Sequence, residues 1–393
     1  QYCVDRMKAE GKAIPEWVVK MLSDDILSFY GYTDDGHKVF YSLSDENYEK
    51  QIIDEKNLTF EGLKKKNHMI KKDWSASVLD LGDEVVGVEF HSALKKELNP
   101  IDGSILQTID WALDWVQDNN YKGLVISGDG ANFCAGANLT MILSMAERND
   151  WDSIEGVTHL MQNVMQKIRF SDFPVVAAPY GLVLGGGFET IGACDKVVAA
   201  AESYIGLVEV GVGLIPGAGG NLRMIDKLSS KMKSAMPGAF PIVQKAFETI
   251  GFAKVGTSAE HSRSYGYLVD KDITVYNRDH ILSTAKQEVI NMSDSYTPPE
   301  QQSYKLPGGS GRLVIKSSIK GFVKAGKISE HDALIAEKLG YVLTGGSKGG
   351  PMSPVSEQYL LDIEREVFVS LCGEQKTIDR IGFMLKKGKP LRN

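Results

Sequence analysis

The sequence predicts an α/β fold followed by a mostly helical region. Three observations carry this prediction. Short apolar runs of the buried-strand type stand at 124–127, 174–178 and 196–200. Stretches with helical apolar spacing separate them, and strands alternating with helices indicate an α/β fold. Beyond about residue 225 the pattern changes to mostly helix-like sequence.

The elements follow in order. Residues 1 to about 70 are polar and unevenly patterned. The stretch 13–22 predicts a helix with Pro15 in its first turn. The aromatic runs 29–32 and 39–41 predict short strands or an aromatic loop, and Lys64, Lys65 and Lys66 a solvated face. From about 75 the pattern sharpens. The apolar runs 76–81 and 85–91, parted by Gly82-Asp83-Glu84, predict a β-hairpin. Pro100 opens a helix bearing Ile101, Ile105, Leu106, Ile109, Leu113 and Val116. A second helix carries Ile154, Val157, Leu160, Met161, Val164, Met165 and Ile168. The stretch 224–259 also predicts helix. The glycine-rich segments 307–311 and 344–351 interrupt the helical region as hinges or connectors, with phosphate contact as the alternative.

Composition narrows the function. Of 393 residues, 43% are hydrophobic and 24% charged, which is ordinary globular usage. The net charge of −7 and pI near 5.6 argue against a dedicated binder of nucleic acid or anionic membrane. No apolar run reaches the roughly 18 residues of a membrane helix. Cys3, Cys134, Cys194 and Cys372 are scattered with no C-x-x-C pair. No zinc knuckle or other metal site, dithiol centre or disulfide framework is expected, and reduced thiols in a cytoplasmic setting fit best. No secretory signal peptide is evident. The start at Gln1 without methionine is expected of a fragment.

Three segments carry chemistry. Gly181-Leu182-Val183-Leu184-Gly185-Gly186-Gly187-Phe188-Glu189 follows a predicted strand. A helix starting at its glycines would aim free N–H groups and a dipole at one point, as an oxyanion hole requires. By itself such a run is a weak signal. The segment 128–139 follows another strand, and small residues around Gly136 let the Ala137 N–H face a ligand. The third segment, 208–220, puts Glu209 in an apolar setting, where burial raises a carboxyl pKa toward the range of proton transfer.

These residues resemble the crotonase (enoyl-CoA hydratase/isomerase) superfamily. The motifs F-C-A-G-A-N-L, G-G-G-F-E and E-V-G-V-G-L-I-P-G-A-G-G match it in order and spacing, from about 75 to 225 and more weakly to about 290. Lys96-Glu97-Leu98-Asn99-Pro100 looks like the family's first acyl-CoA-binding loop. The resemblance implies a crotonase-like spiral of ββα repeats at 72–290, with a helical C-terminal region at 291–393. It implies an oxyanion hole from the backbone N–H groups of Ala137 and Gly186. It implies catalytic carboxylates at Glu189 and Glu209, 20 positions apart as in true hydratases. Lys96, Glu97, Leu98, Ala135, Asn138, Leu139, Gly185, Pro216 and Gly217 are the implied substrate contacts. Asn138 departs from the family's usual Asp. Cys134 and Cys194 are expected to be packing residues, and His91 a strand-end residue.

The expected reaction is syn hydration of a 2-enoyl-CoA to a 3-hydroxyacyl-CoA in fatty-acid β-oxidation. Glu189 is assigned to the water and Glu209 to C2. The alternatives are Δ3,Δ2-enoyl-CoA isomerisation, using Glu209 alone, and a non-catalytic acyl-CoA-binding scaffold. The family resemblance also implies trimer-based homo-oligomers, or a thiolase as partner. The segments P-E-W-V-x-K-M-L near the start and P-V-S-E-Q-Y-L-L-D-I-E-R-E near the end resemble bacterial fusions of a 3-hydroxyacyl-CoA dehydrogenase with a hydratase. They imply that 1–71 is a dehydrogenase tail and linker. No G-x-G-x-x-G follows an early strand. NAD is therefore expected only if an upstream dehydrogenase domain is present, and the chain itself needs no cofactor beyond the coenzyme A of its substrate.

Overall fold

The structure, a computed structural model, describes residues 2–26, 28–33, 37–51, 56–232 and 238–393. Helices α1 (Tyr2–Ala9) and α2 (Glu16–Ser23) open the chain, the second starting just after Pro15. Strands β1 (Tyr30–Tyr32), β2 (Lys38–Ser42) and β3 (Asn47–Lys50) form a small antiparallel sheet. The aromatic runs are thus strands, with Val39 and Tyr41 buried.

Helix α3 (Phe60–Lys65) starts at a Thr59 cap that accepts from the Gly62 N–H. Its Phe60 and Leu63 are buried in the main core. Lys64 is not a freely solvated residue: its Nζ lies 2.6 Å from the buried carboxylate of Glu89. Strand β4 (Met69–Lys72) then joins the main sheet beside β5 (Ala76–Asp80), and β6 (Val85–Phe90) completes the expected hairpin.

A spiral follows. Helix α4 (Gly103–Asp118) begins two residues later than Ile101, because Asp102 caps it by accepting from the Ile105 N–H. Strand β7 (Gly123–Ser127) pairs parallel with β6, and all five of its residues are buried, the pattern of a sheet covered on both faces. Helices α5 (Leu139–Glu147) and α6 (Trp151–Arg169) return the chain to β8 (Val175–Ala177). Next come β9 (Gly181–Leu184), α7 (Gly186–Ala193), β10 (Lys196–Ala200) and β11 (Ser203–Gly206). The main sheet has the order β12-β10-β8-β7-β6-β5-β4, where β12 is Ile273–Val275, and runs parallel from β12 to β6. Strands β9 and β11 pair in a second layer, which the single bridge between Cys134 and Val183 extends. Each turn therefore gives one strand to each layer and then a helix, which is the ββα spiral of the crotonase fold.

The stretch 224–259 is helical in α8 (Gly220–Met232) and α9 (Phe240–Gly251), but residues 252–258 are turn and extended chain, with Val255 bridged to Gly206; residues 233–237 lie outside the described residues. Helices α10 (Ala259–Tyr265) and α11 (Ile281–Ser293) complete this part. Beyond it, a two-residue pair of strands, β13 (Ser303–Tyr304) and β14 (Val355–Ser356), ties together α12 (Gly308–Lys324), α13 (Glu330–Leu343) and α14 (Glu357–Cys372), before α15 (Gln375–Lys387). The segment 307–311 is not a break between helices but the first turn of α12, and its Gly308 N–H donates to Thr344 O, so the two glycine-rich segments pack together. One continuous apolar core runs from Phe60 to Ile381 in α15. Among the described residues, no helix is long and apolar enough to cross a membrane.

Candidate active site

The site forms where the second layer ends. The bridges from Cys134 to Val183 and from Ile101 to Ala137 lay the segment 133–137 alongside β9. Gly185 follows β9 with φ +53°, a conformation that disfavours residues with a Cβ, and it turns the chain into α7. Gly187 packs so closely that a methyl group there would meet Cys134 O at 2.7 Å. These two contacts bring the start of α7 against Ala137: a methyl group on Gly186 would sit 3.6 Å from the Ala137 nitrogen. Among the described residues, neither the Ala137 nor the Gly186 N–H has an acceptor. Two unengaged donors beside a helix N-terminus form a point suited to a developing negative oxygen.

Asn138 caps α5, its side-chain oxygen accepting from the N–H groups of Thr140 at 3.1 Å and Met141 at 3.3 Å. An amide oxygen does here what a carboxylate would, so the departure from Asp leaves the turn intact.

The two glutamates come together. Glu189, in the first turn of α7, is 4% exposed. Its Oε1 accepts from the N–H groups of Ala218 at 2.7 Å and Gly220 at 2.9 Å. Burial pushes its pKa up to about 7, with these amides pulling the other way. Glu209 opens the 3₁₀ turn Glu209–Val212. Its Oε1 lies against Gly185, within 3.1 Å of where a Cβ on that residue would stand. Its Oε2 is buried with no hydrogen-bond partner among the described residues. Burial, reinforced by the negative charge of Glu189, holds Glu209 well above the ordinary carboxylate range. The two acids therefore differ: one is pinned by amide donors, the other is orphaned and favours its protonated form.

The remaining expected contacts divide into two groups. Gly185, Pro216 and Gly217 are buried, with Gly217 O accepting from Gln162 Nε2 at 2.9 Å and the ring of Phe368 lying against Gly217. Lys96, Glu97 and Leu98 lie at the surface end. They are joined to the second motif through the Ala135 N–H, which donates to Leu98 O at 2.8 Å. Buried Asn99 locks that loop by donating to Phe90 O and Phe133 O. Leu139 starts α5 and is half-buried. Cys134 is fully buried and its thiol is pushed up to about 12; burial also raises the thiol of Cys194, so both behave as packing residues. His91 lies just beyond the end of β6, bonded to Ser77 Oγ at 2.7 Å.

Sequence reasoning missed Glu364. It lies on α14, is 1% exposed, and accepts from Gly219 N and from Asn221 N and Nδ2. A signal was present: Glu357 and Glu364, one heptad apart, fall on the same face as buried Leu360, Leu361, Val367, Phe368 and Leu371.

The chain is similar to known proteins. Residues 84–237 match the family described as enoyl-CoA hydratase/isomerase. A Bacillus subtilis protein named "Probable 3-hydroxyacyl-CoA dehydrogenase" is 40% identical over 390 residues, covering 99% of this chain and 48% of that protein. The chain spans about half the length of the curated relatives it matches. Among solved structures, the enoyl-CoA hydratase from Bacillus halodurans superposes with TM-score 0.53 at 15% identity, covering 78% of this chain and 99% of that one. An enoyl-CoA hydratase/isomerase from Xanthobacter autotrophicus Py2 gives 0.51 at 17%, covering 80% and 94%. Residues 84–237 therefore match the enoyl-CoA hydratase/isomerase family, within a chain of crotonase-type fold.

Proposed function

We propose that this chain adds water across the double bond of 2-enoyl-CoA thioesters, giving 3-hydroxyacyl-CoA. The observation that carries the reading is the pairing of buried Glu189 with Glu209, half-buried but with its Oε2 sealed from solvent, in unlike environments beside two unengaged amides. Glu189, at about 7, is largely ionised in slightly alkaline solution and takes a proton from water as the oxygen bonds to C3. The electron pair of the double bond moves onto the thioester oxygen, held by the Ala137 and Gly186 N–H groups. The enolate then collapses as C2 takes the proton that Glu209 has kept. The sum is one water added, and the proton gained by Glu189 returns to Glu209 between turnovers. The two carboxyls titrate as a coupled set rather than singly.

The wider setting belongs to the same proposal. The name of the B. subtilis relative and the terminal segments support a larger protein in which a dehydrogenase region precedes this one, within fatty-acid β-oxidation. NAD would serve that region, and acyl-CoA this one.

The test is crotonyl-CoA hydration by the purified chain, followed as loss of the conjugated thioester absorbance. Turnover is expected, with E189Q and E209Q each losing about 10²–10⁴-fold, the usual worth of a positioned acid or base. The rate should rise with pH through about 7, as Glu189 ionises, and fall at higher pH as Glu209 loses its proton. Binding of the thioester with no turnover would overturn the hydratase reading in favour of a scaffold. Turnover of a 3-enoyl-CoA alone would overturn it in favour of an isomerase.

A further inference from the structure

The run of amides at the start of α8 serves two carboxylates at once. The N–H groups of Ala218 and Gly220 point to Glu189 Oε1. The intervening Gly219 N–H donates to Glu364 Oε1 at 2.5 Å, and the Asn221 N–H to Glu364 Oε2 at 3.0 Å. Successive amides thus alternate between an acid on α7 and an acid on α14. Asn221 Nδ2 adds a further donor to Glu364 Oε2 at 2.9 Å.

We propose that Glu364 is a positioning residue for the reaction: by holding amides 219 and 221 it fixes the register in which amides 218 and 220 grip Glu189. The inference rests on the hydratase reading above for its kinetic consequence, but its geometric content is independent of it. Two carboxylates on either side of one peptide run fix that run from both directions. Without Glu364, amides 219 and 221 lose their acceptors inside a buried site, and the segment must rotate to find others. Rotation moves 218 and 220 as well, and with them the oxygen of Glu189 that faces the water.

Glu364 has no ion-pair partner among the described residues. The groups that face it are Glu189 on α7, Glu209 on the 3₁₀ turn, the amides of α8 and Gln162 on α6. Arg365 reaches it only through Gln162, whose Oε1 accepts from Arg365 Nη1 at 2.8 Å. Arg223 on α8 is directed elsewhere, to Gln166 and Glu357. Glu364 is therefore an uncompensated neighbour of Glu189, and burial together with the Glu189 charge pushes it up to about 8, so Glu189 ionises first and Glu364 acts on it through the shared amides.

Two measurements test the proposal. In E364Q, one of the two amides loses its acceptor, because a carboxamide offers a single acceptor oxygen. kcat for crotonyl-CoA should fall about 10- to 100-fold, the scale of a misplaced reacting group, with KM within about twofold. Loosened amides 218 and 220 no longer hold the Glu189 carboxylate down, so the acid limb of the kcat profile should move to higher pH. The second measurement needs no turnover. Carboxyl-labelled glutamate NMR, with the Glu189 signal identified by its loss in E189Q, should show the Glu189 midpoint rising in E364Q. A wild-type chain that hydrates nothing while this midpoint still rises in E364Q would sink the function and leave the positioning role standing. An unmoved midpoint, or kcat and pH profile equal to wild type, would overturn the role. If E364Q does not fold, N221A replaces it: loss of the Nδ2 donor loosens the hold of Glu364 on this run, so the Glu189 midpoint should rise by less, and an unmoved midpoint again overturns the proposal.

Discussion

In the spiral region the chemistry hangs on the backbone. Ala137 and Gly186 contribute N–H groups, Gly185 contributes a turn, and the strands of two layers set their positions. In the C-terminal helices the contribution is made by single side chains. Glu364 reaches amides 143 to 145 positions earlier in the sequence. Thr377 Oγ1 donates to Gly213 O at 2.9 Å, at the end of the turn that carries Glu209. Glu357 meets Arg223 at 3.2 Å, both nearly without solvent exposure. The spiral thus builds the site and the helices clamp it from behind. A backbone-built feature survives most side-chain changes, whereas a clamp made of a few buried polar atoms fails one residue at a time.

The largest effect expected from this division concerns pH. Glu189, Glu209 and Glu364 all sit above the ordinary carboxylate value of 4.5. An acid raised in the folded state binds its proton more tightly there than in the unfolded chain. Its contribution is complete below about 4.5 and is lost as pH rises through the folded value. Stability should therefore fall between about pH 5 and pH 8, each titrating acid adding a slope of up to about 1.4 kcal/mol per pH unit. Urea unfolding across that range measures it. E209Q should flatten the curve and exceed wild type in stability at pH 8. A curve that rises with pH in wild type would mean that the site, unlike the clamp, is held in ionised form by something other than these contacts.

The next effect breaks the clamp. Glu357 Oε2 accepts from Arg223 Nη2, and Glu357 Oε1 accepts from the Gln302 N–H. E357A leaves the guanidinium buried and unpaired, and should cost about 3–5 kcal/mol by chemical denaturation. Replacing both partners, as R223M/E357L, should recover most of that loss, since well-packed apolar pairs replace buried ion pairs at little cost. No recovery would mean that α14 is held by the rest of its apolar face and that the pair does something else.

The same division explains what the sequence disclosed. Motif residues such as Ala137, Gly186 and Glu189 lie on glycine-rich turns at strand ends, where local conformation and function require the same residue types. The hairpin at β5 and β6 and the strands β7, β8 and β10 were legible from apolar runs alone. Glu364 was legible only through its heptad spacing from Glu357, since D-I-E-R-E otherwise looks like a solvated helix face until α8 and α6 are packed upon it. The segment 307–311 misled for a related reason. Glycines at a helix N-terminus and glycines in a connector have the same composition, and only the hydrogen bond from Gly308 to Thr344 distinguishes them. Lys64 followed the same rule in reverse: a run of three lysines hides the one that meets a buried carboxylate.

The smallest effect separates bracing from positioning. The hydroxyl of Thr377 donates to Gly213 O, so the His331 Nε2 at 3.0 Å must be the N–H that donates to it. T377V keeps the shape and removes both bonds, leaving Gly213 O and His331 Nε2 buried without partners. The cost should be about 1–3 kcal/mol. Yet Gly213 lies past the turn, and Glu209 itself is held by burial and by the contact of its Oε1 with Gly185. Crotonyl-CoA turnover in T377V should therefore stay within about threefold of wild type, far less than the loss expected in E364Q. Equal losses in the two variants would mean that the helices act on the site as one rigid strap, with no special place for the acid on α14. Unequal losses would locate the influence of the C-terminal region in the four amides that Glu189 and Glu364 share.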